Sequence, residues 1–411
     1  MSDAATMPAA SVPMKERFLG VDVARGVALL AMLAANIWDA AIGAVDDNGQ
    51  PTLAGMTVIG RSATLFVMVA GISLAFITGG RHPRQGRDRR ATVVSLVVRA
   101  LLIAAIGLAI GYGSGPVMIL PYYGLFFLLA IPFIGLRPRT LALVATGVAV
   151  IGPLLLLWAT SLGLEPADGS LTFTDLFTDP GGSVLQLFVT GYFPAVVYMA
   201  YIFVGMAIGR LDLSSTRVAT RLLVSGVVLA VIAWVASSLL LFKLGGLQQL
   251  IAAAGPDADP ATIQNEVLWD AQRTDTWWWL AVRSHHSATP IDAIHTIGVA
   301  MAVIGAVLLI TRHRAAARVL WPVGVAGAMT LTIYSAHVLV LGAGVLGDEP
   351  LALYLTSVAG ALGFAVLWRH FFGQGPLERL VSTAAGRARR AALGWRWIGS
   401  QSDTGSTPRG R

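Results

Sequence analysis

Residues 18–38 read FLGVDVARGVALLAMLAANIW, an apolar run long enough to cross a membrane but interrupted by Asp22, Arg25 and Asn36. The interruptions are regularly placed. Asp22, Arg25, Leu29, Met32 and Asn36 follow a 3-4-3-4 spacing that puts them on one helical face, and Asp39 continues the stripe. At about 1.5 Å per residue, Arg25 and Asn36 lie roughly 16 Å apart, half the thickness of the hydrocarbon core. Lipid penalises such a face, so it is expected to line a bundle interior or a wet cavity. Two readings stand at this point. In one, Asp22 and Arg25 form an interfacial pair that anchors the helix, and Asn36 is an interhelical hydrogen-bonding group. In the other, the stripe is a path from one membrane surface toward the other.

Composition supports the membrane setting. Of 411 residues, 55% are hydrophobic and 12% are charged, and the mean hydropathy is +0.71. A soluble domain carries about 25% charged residues, so the chain reads as an all-α, polytopic integral membrane helical bundle. Its first partner is the lipid bilayer. A net charge of +7 would suggest nucleic acid in a soluble chain. Here the arginines flank apolar segments, so topology explains them and no nucleic-acid partner is expected. The absence of cysteine removes disulfides, thiolate metal sites and cysteine nucleophiles together. Residues 1–17 lack a signal-peptide core and are expected to form a disordered cytoplasmic tail.

Apolar segments of about 20 residues place spans near 18–42, 56–79, 91–112, 115–135, 140–162, 188–209, 218–242, 292–311, 320–346 and 351–372. Arginine-rich connections follow the second, fourth, sixth, eighth and tenth, and the intervening connections are acidic or nearly uncharged. Basic residues favour the cytoplasm, so about ten transmembrane helices with both termini cytoplasmic satisfy every loop. The multi-pass protein is then expected in the inner (plasma) membrane. The domain unit is 18–372, with an outer loop over 243–291 and a basic cytoplasmic interfacial tail over 373–411. In the outer loop, Trp277, Trp278 and Trp279 suit a membrane interface.

Further polar residues sit in or beside spans. Arg61, near the outer end of the second span, either snorkels outward, neutralises Asp39, or binds an anionic substrate group. His337 lies near the outer end of the ninth span with Tyr334 and Thr330 on its face; it is either an interhelical donor or a functional base. The segment RSHHSATP at 283–290 is the densest polar cluster on the outer side. His285 or His286 in it suits a general base at the outer mouth, although spacing alone favours a solvated loop. No spacing supports a metal site, and no nucleotide-binding glycine pattern appears in the right context.

These residues resemble the transmembrane acyltransferase superfamily, in the branch containing heparan-α-glucosaminide N-acetyltransferase and its bacterial YeiB-type relatives. The opening carries the resemblance through Arg17, Asp22, Arg25, Gly26 and Asn36. GRSATLFVMVAGISLAF at 60–76, HSATP at 286–290, GAMTLTIYSAHVLVL at 327–341 and GPLE at 375–378 follow in order. The resemblance implies an acetyl group moved from cytosolic acyl-CoA (acetyl-CoA) to an acceptor across the membrane. It implies donor entry near Arg25 and a carbonyl held by Asn36. One departure stands out: the eukaryotic enzyme has its catalytic histidine shortly after the asparagine, where this chain reads DAAIGAVDDNGQP. Asp39, Asp46 or Asp47 would replace it, or the base comes from His286 or His337.

The expected function is therefore acyl transfer from acyl-CoA to a cell-envelope glycan or lipid acceptor. Asn36, His286 and His337 are the catalytic candidates, Asp22 and Arg25 bind the donor, and Arg61, Asp39, His285 and Tyr334 bind the acceptor. The rival is a transporter or flippase of a small or lipidic anion, against which count the missing internal repeat and the lack of broken helices. The sequence leaves the donor acyl group, the acceptor and the oligomeric state open, a homodimer included.

Overall fold

The computed structural model describes residues 19–394, apart from 42, 45, 49, 168, 257, 258, 270–273 and 346–348 and the side chains of 39–41 and 57. The tail expected over 1–17, the residues beyond 394 and the Asp39 side chain lie outside the described residues. Among those described, the regular structure is helical throughout, with no strand. The principal helices are α1 (Leu19–Ala41), α2 (Arg61–Ile77), α3 (Gly86–Ile110), α4 (Leu120–Ala130), α5 (Pro138–Ser161) and α6 (Ala195–Gly209). They continue with α7 (Thr216–Phe242), α8 (Pro290–Ile310), α9 (Trp321–Gly327), α10 (Thr330–Gly342), α11 (Pro350–Phe372) and α12 (Pro376–Gly394).

Seven helices are long and apolar enough to cross a membrane, or nine if each of two bent pairs counts as one span. The protein is thus a polytopic helical membrane protein, and each of the ten expected segments contains helix. Three of them are not continuous spans, and this corrects the expectation of unbroken helices. The first is short: α4 runs only from Leu120 and is preceded by the irregular residues 114–119. In the second, a helix at 180–190 meets α6 at 57° across Gly191–Pro194, where Pro194 biases its predecessor away from helix. In the third, α9 and α10 meet at 81° across Ala328 and Met329. Irregular backbone at membrane depth survives only where protein buries it or a cavity wets it. All three breaks adjoin the cavities described below.

Close backbone approach through small residues holds the bundle, as expected where lipid supplies no hydrophobic drive between helices. A Cβ at Gly26 on α1 would sit 2.1 Å from the Val323 carbonyl oxygen, and one at Gly327 would sit 2.0 Å from that of Asp22. These contacts seat α9 against the first half of α1. Gly71 and Gly205 bring α2 and α6 together in the same way.

The basic connections gather on one face. Arg81 pairs with Asp212 at 3.2 Å, Arg312 donates to the Ser214 carbonyl at 2.8 Å, and Arg87 donates to the Leu393 carbonyl at 3.0 Å. Asp88 joins Arg84 at 2.8 Å and also Arg389, which clamps α12 to the start of α3 with Val381 and Ala385 buried. On the opposite face, Tyr112 meets Thr174 at 2.8 Å and Ser114 donates to Ser170 at 3.0 Å. The alternation of basic and non-basic connections thus sorts them onto two faces.

The 243–291 segment folds as two short helices, Gly246–Ala254 and Pro260–Trp269, over a satellite apolar cluster that includes Leu241, Leu250 and Trp279. Of the three tryptophans, Trp277 is 72% exposed but Trp279 only 4%. The indoles therefore divide between surface and core instead of forming one interfacial belt. The end of the segment, where a solvated loop was favoured, is buried from Val282 to His285 and from Ser287 to Thr289. Tertiary contact rather than local spacing decides this: the Cβ of His285 fills the space beside Gly60 that a side chain there would need.

Candidate active site

Asp22 and Arg25 sit one turn apart on α1 and pair at 2.9 Å. Arg25 also donates to the Gly327 carbonyl at 3.1 Å and to the Ser73 hydroxyl at 2.8 Å. The guanidinium thus joins α1, α2 and the break between α9 and α10, a use of its fork that an ammonium could not match. Asp22, Arg25 and Ser73 line a cavity of about 640 Å³ that reaches the basic face at Arg81, Asp212, Gln374 and Ser382. Inward it ends at Phe66, Tyr123 and Tyr334.

The acids of this cavity are engaged. Asp22 holds Arg25, Asp212 holds Arg81, and Glu378 accepts from the Thr332 backbone at 3.0 Å and from the Thr332 hydroxyl at 2.6 Å. Arg99, deep on α3, has no acid partner among the described residues, and its Nε is buried without a hydrogen bond. The cavity therefore carries an uncompensated positive charge between apolar walls. Sequence reasoning passed over Arg99, although its place within the apolar run 91–112 was the signal.

Asn36 belongs to a second cavity of about 560 Å³, open toward the opposite face. Met32, Ser62, Ala63, Pro116, Tyr192 and His286 are among its walls. The two cavities approach each other where the Tyr334 hydroxyl on the basic side comes near the Asn36 side-chain amide. Phe66, a wall of the basic-face cavity alone, packs between Tyr123 at 5.7 Å and Tyr334 at 6.3 Å, which makes it the candidate partition. Asn36 Nδ2 is buried there with the Tyr334 hydroxyl near it, but no hydrogen bond of good geometry forms among the described residues. A buried amide donor left open in this way suits an incoming carbonyl oxygen.

His286 reaches the same cavity from a left-handed backbone, with φ of 56°, and Ala288 follows with φ of 54°. Two non-glycine residues in this region are held by their surroundings, a pattern found at functional sites. Thr289 secures the next step: its hydroxyl accepts from the Asp292 backbone N–H at 3.0 Å and starts α8. The His286 ring packs on Tyr192 at 4.2 Å, and its Nδ1 lies 3.2 Å from the Tyr198 hydroxyl. Burial, with His285 adding a smaller effect, holds the His286 imidazole well below its ordinary pKa, so it is neutral near pH 7.

The remaining candidates scatter. His285 turns toward Gly60 instead of the cavity, its ring 5.6 Å from that of His286, and burial with nearby Arg61 lowers its pKa to about 4. Arg61 lines neither cavity; it is the first residue of α2. Tyr334, expected on the acceptor side, lines the basic-face cavity instead. His337 is buried and lines neither cavity. Asp46 is exposed and caps its own turn by accepting from the Asn48 and Gln50 backbones at 2.9 and 2.8 Å, and Asp47 is exposed beside it. Asn36 and His286 are thus the catalytic candidates that share a cavity.

Residues 17–244, more than half of the chain, match the family model described as heparan-alpha-glucosaminide N-acetyltransferase, catalytic. The chain belongs to this family. No curated protein matches it. Membership in this membrane acetyltransferase family covers the α1 stripe, the Phe66 partition, Arg99, Tyr123 and Tyr198. His286, Tyr334 and His337 come from the chain beyond the matched region, so their places rest on the fold.

Proposed function

We propose that the protein transfers an acetyl group from cytosolic acyl-CoA to a hydroxyl or amine of a cell-envelope glycan or lipid presented from the other side of the inner membrane. The observation that carries this reading is the pair of cavities, one from each face, that approach each other at Asn36 and Tyr334. The basic-face cavity has the size of an ordinary ligand site, and its apolar walls with Arg25, Arg81 and Arg99 fit a long anionic donor. The bound donor would supply the activated acyl group. Arg25, fixed by Asp22, and Arg99 hold it by charge, and Asn36 Nδ2 donates to the carbonyl oxygen where negative charge develops. His286 Nε2 takes the proton from the attacking acceptor, with Nδ1–H donating to the Tyr198 oxygen and keeping the ring in place. The acceptor's new bond to the acyl carbon replaces the thioester C–S bond, and the CoA sulfur leaves toward the basic face as a thiolate that water protonates. Neutral at physiological pH, the imidazole is in the state that a base requires.

The broken helices remove one sequence-level objection to a carrier, since such breaks are common in transporters. The preference for chemistry now rests on family membership and on the partition between the cavities. Purified protein in nanodiscs, supplied with acetyl-CoA and envelope lipid or glycan extract, tests it through CoA thiol release and acetylated product. Asn36→Ala should lower turnover by about 10²–10³ and His286→Ala by about 10²–10⁴. Wild-type protein that binds no acyl-CoA, or flux of an anion through proteoliposomes without a donor, would overturn the reading.

A further inference from the structure

A third cavity lies between the end of α11 and the start of α12, and it shares Gln374 with the basic-face cavity. It is a groove of about 400 Å³ whose walls include Trp368, Phe372, Gln374, Arg379, Leu380 and Arg387. Its chemistry changes along its length. At one end, Arg379 and Arg387 lie eight residues apart on α12, near one face of the helix, and both are exposed. Neither side chain has an ion pair or hydrogen bond among the described residues, whereas Arg389, on the side that faces α3, is paired with Asp88. Glu378, the nearest acid in the sequence, is engaged by Thr332. At the other end, Trp368 and Phe372 line the groove and continue an aromatic ladder back to Phe364, with ring centroids 5.3 Å (Phe364–Trp368) and 4.4 Å (Trp368–Phe372) apart. The Trp368 N–H donates to the Gln374 carbonyl at 2.9 Å, which holds the indole as a wall.

The ladder runs back along α11 for about 12 Å, from the basic face toward the bilayer centre. Phe372 and Leu380 remain more than half exposed. Unpaired positive charge at the membrane surface above an apolar strip that descends into the bilayer is the complement of an anionic amphiphile. A free phosphate would use the arginines but leave the ladder bare. A zwitterionic lipid would use the ladder but bring no net charge to the arginines.

We propose that this groove binds one anionic phospholipid of the leaflet on the basic face. Its phosphate sits between Arg379 and Arg387, and an acyl chain lies along Phe364, Trp368 and Phe372. The site also touches the donor side of the protein, because Gln374 lines both this groove and the 640 Å³ cavity and accepts from the Ser382 hydroxyl at 3.2 Å. The lipid thereby braces α12 where that helix borders the cavity mouth.

Native mass spectrometry of the full chain in detergent tests this with three probes: phosphatidylglycerol, phosphatidylcholine and inorganic phosphate. Phosphatidylglycerol is expected as a single retained adduct, with phosphatidylcholine at least about tenfold weaker and inorganic phosphate neither binding nor displacing it. In the Arg379→Gln, Arg387→Gln double variant, affinity for phosphatidylglycerol should fall about 30-fold. Equal retention of the two lipids, an unchanged double variant, or displacement by inorganic phosphate would each overturn the proposal. Both arginines are exposed and unpaired, so the lipid-free melting temperature should stay at the wild-type value. If the double variant does not fold, Arg379→Gln alone should still weaken phosphatidylglycerol about fivefold, and no loss there refutes the site.

Discussion

Arg25 has three acceptors of different kinds: a carboxylate, a backbone carbonyl and a hydroxyl. Arg25→Lys keeps the charge but cannot reach all three, because an ammonium has no planar fork. Unfolding in detergent should show a loss of about 1–2 kcal/mol, and acyl-CoA binding should weaken. An Arg81→Lys control, at a pair that is mostly exposed, should change stability little. The two histidines make a separate prediction with a definite sign. Both are held below their ordinary value, His285 at about 4, whereas in the unfolded chain each titrates near 6.5. From about pH 6.5 downward the unfolded segment takes up protons that the folded segment refuses, so its stability falls as pH falls and is flat above pH 6.5. Amide exchange over 283–289, corrected for its intrinsic rate, should therefore accelerate between pH 7 and pH 5; an unchanged rate would contradict the buried neutral pair. The same sign puts the acid limb of kcat/KM below pH 6.5. At this scale the stripe on α1 was legible because one helix carries all of it. Phe66, Tyr123 and Tyr198 were not, because an aromatic in an apolar run looks like core until its neighbours from other helices are known.

Helices answer to their ends and contacts. The start of α10 follows a sharp break, and its Thr332 N–H would be left open there; Glu378, reaching over from α12, accepts from it and from the Thr332 hydroxyl. Glu378→Ala should cost about 0.5–2 kcal/mol, as for the loss of a helix cap, and Glu378→Gln less because its amide oxygen still accepts. Thermal unfolding in detergent separates the two variants, and equal melting temperatures for both would rule the cap out. Gly26→Ala meets a harder obstacle, since the new Cβ would lie 2.1 Å from a backbone oxygen that cannot rotate away. It should destabilise by about 1–3 kcal/mol through overpacking and shift the Gly327 carbonyl that Arg25 uses. Hydropathy located all ten helical segments because each is apolar over most of its length. It could not find the breaks at 191–194 and 328–329, since a window average does not register where the chain bends. Nor could it find the burial of 283–289, which depends on Gly60, more than two hundred residues earlier.

At the scale of the whole molecule, the two-cavity arrangement makes a claim about sidedness that α2 alone can test. Ala63 lines the opposite-face cavity and Ala70 the basic-face cavity, two turns apart on one helix and only about 10 Å along its axis. The charge pattern of the connections assigned the basic face to the cytoplasm, and the structure sorts those connections accordingly. The chain contains no cysteine, so a single introduced thiol has no background. A membrane-impermeant maleimide applied to oriented vesicles should then label Ala70→Cys only from the cytoplasmic side and Ala63→Cys only from the other. Labelling of either from both sides would mean that the Phe66 partition is open at rest, as a carrier requires and a transferase does not. Phe66→Ala supplies the converse: with the partition removed, both thiols should become reactive from both sides while the basic connections stay in place. If Phe66→Ala leaves the labelling sided, something other than this ring divides the cavities, and the meeting of donor and acceptor at Asn36 loses its physical basis.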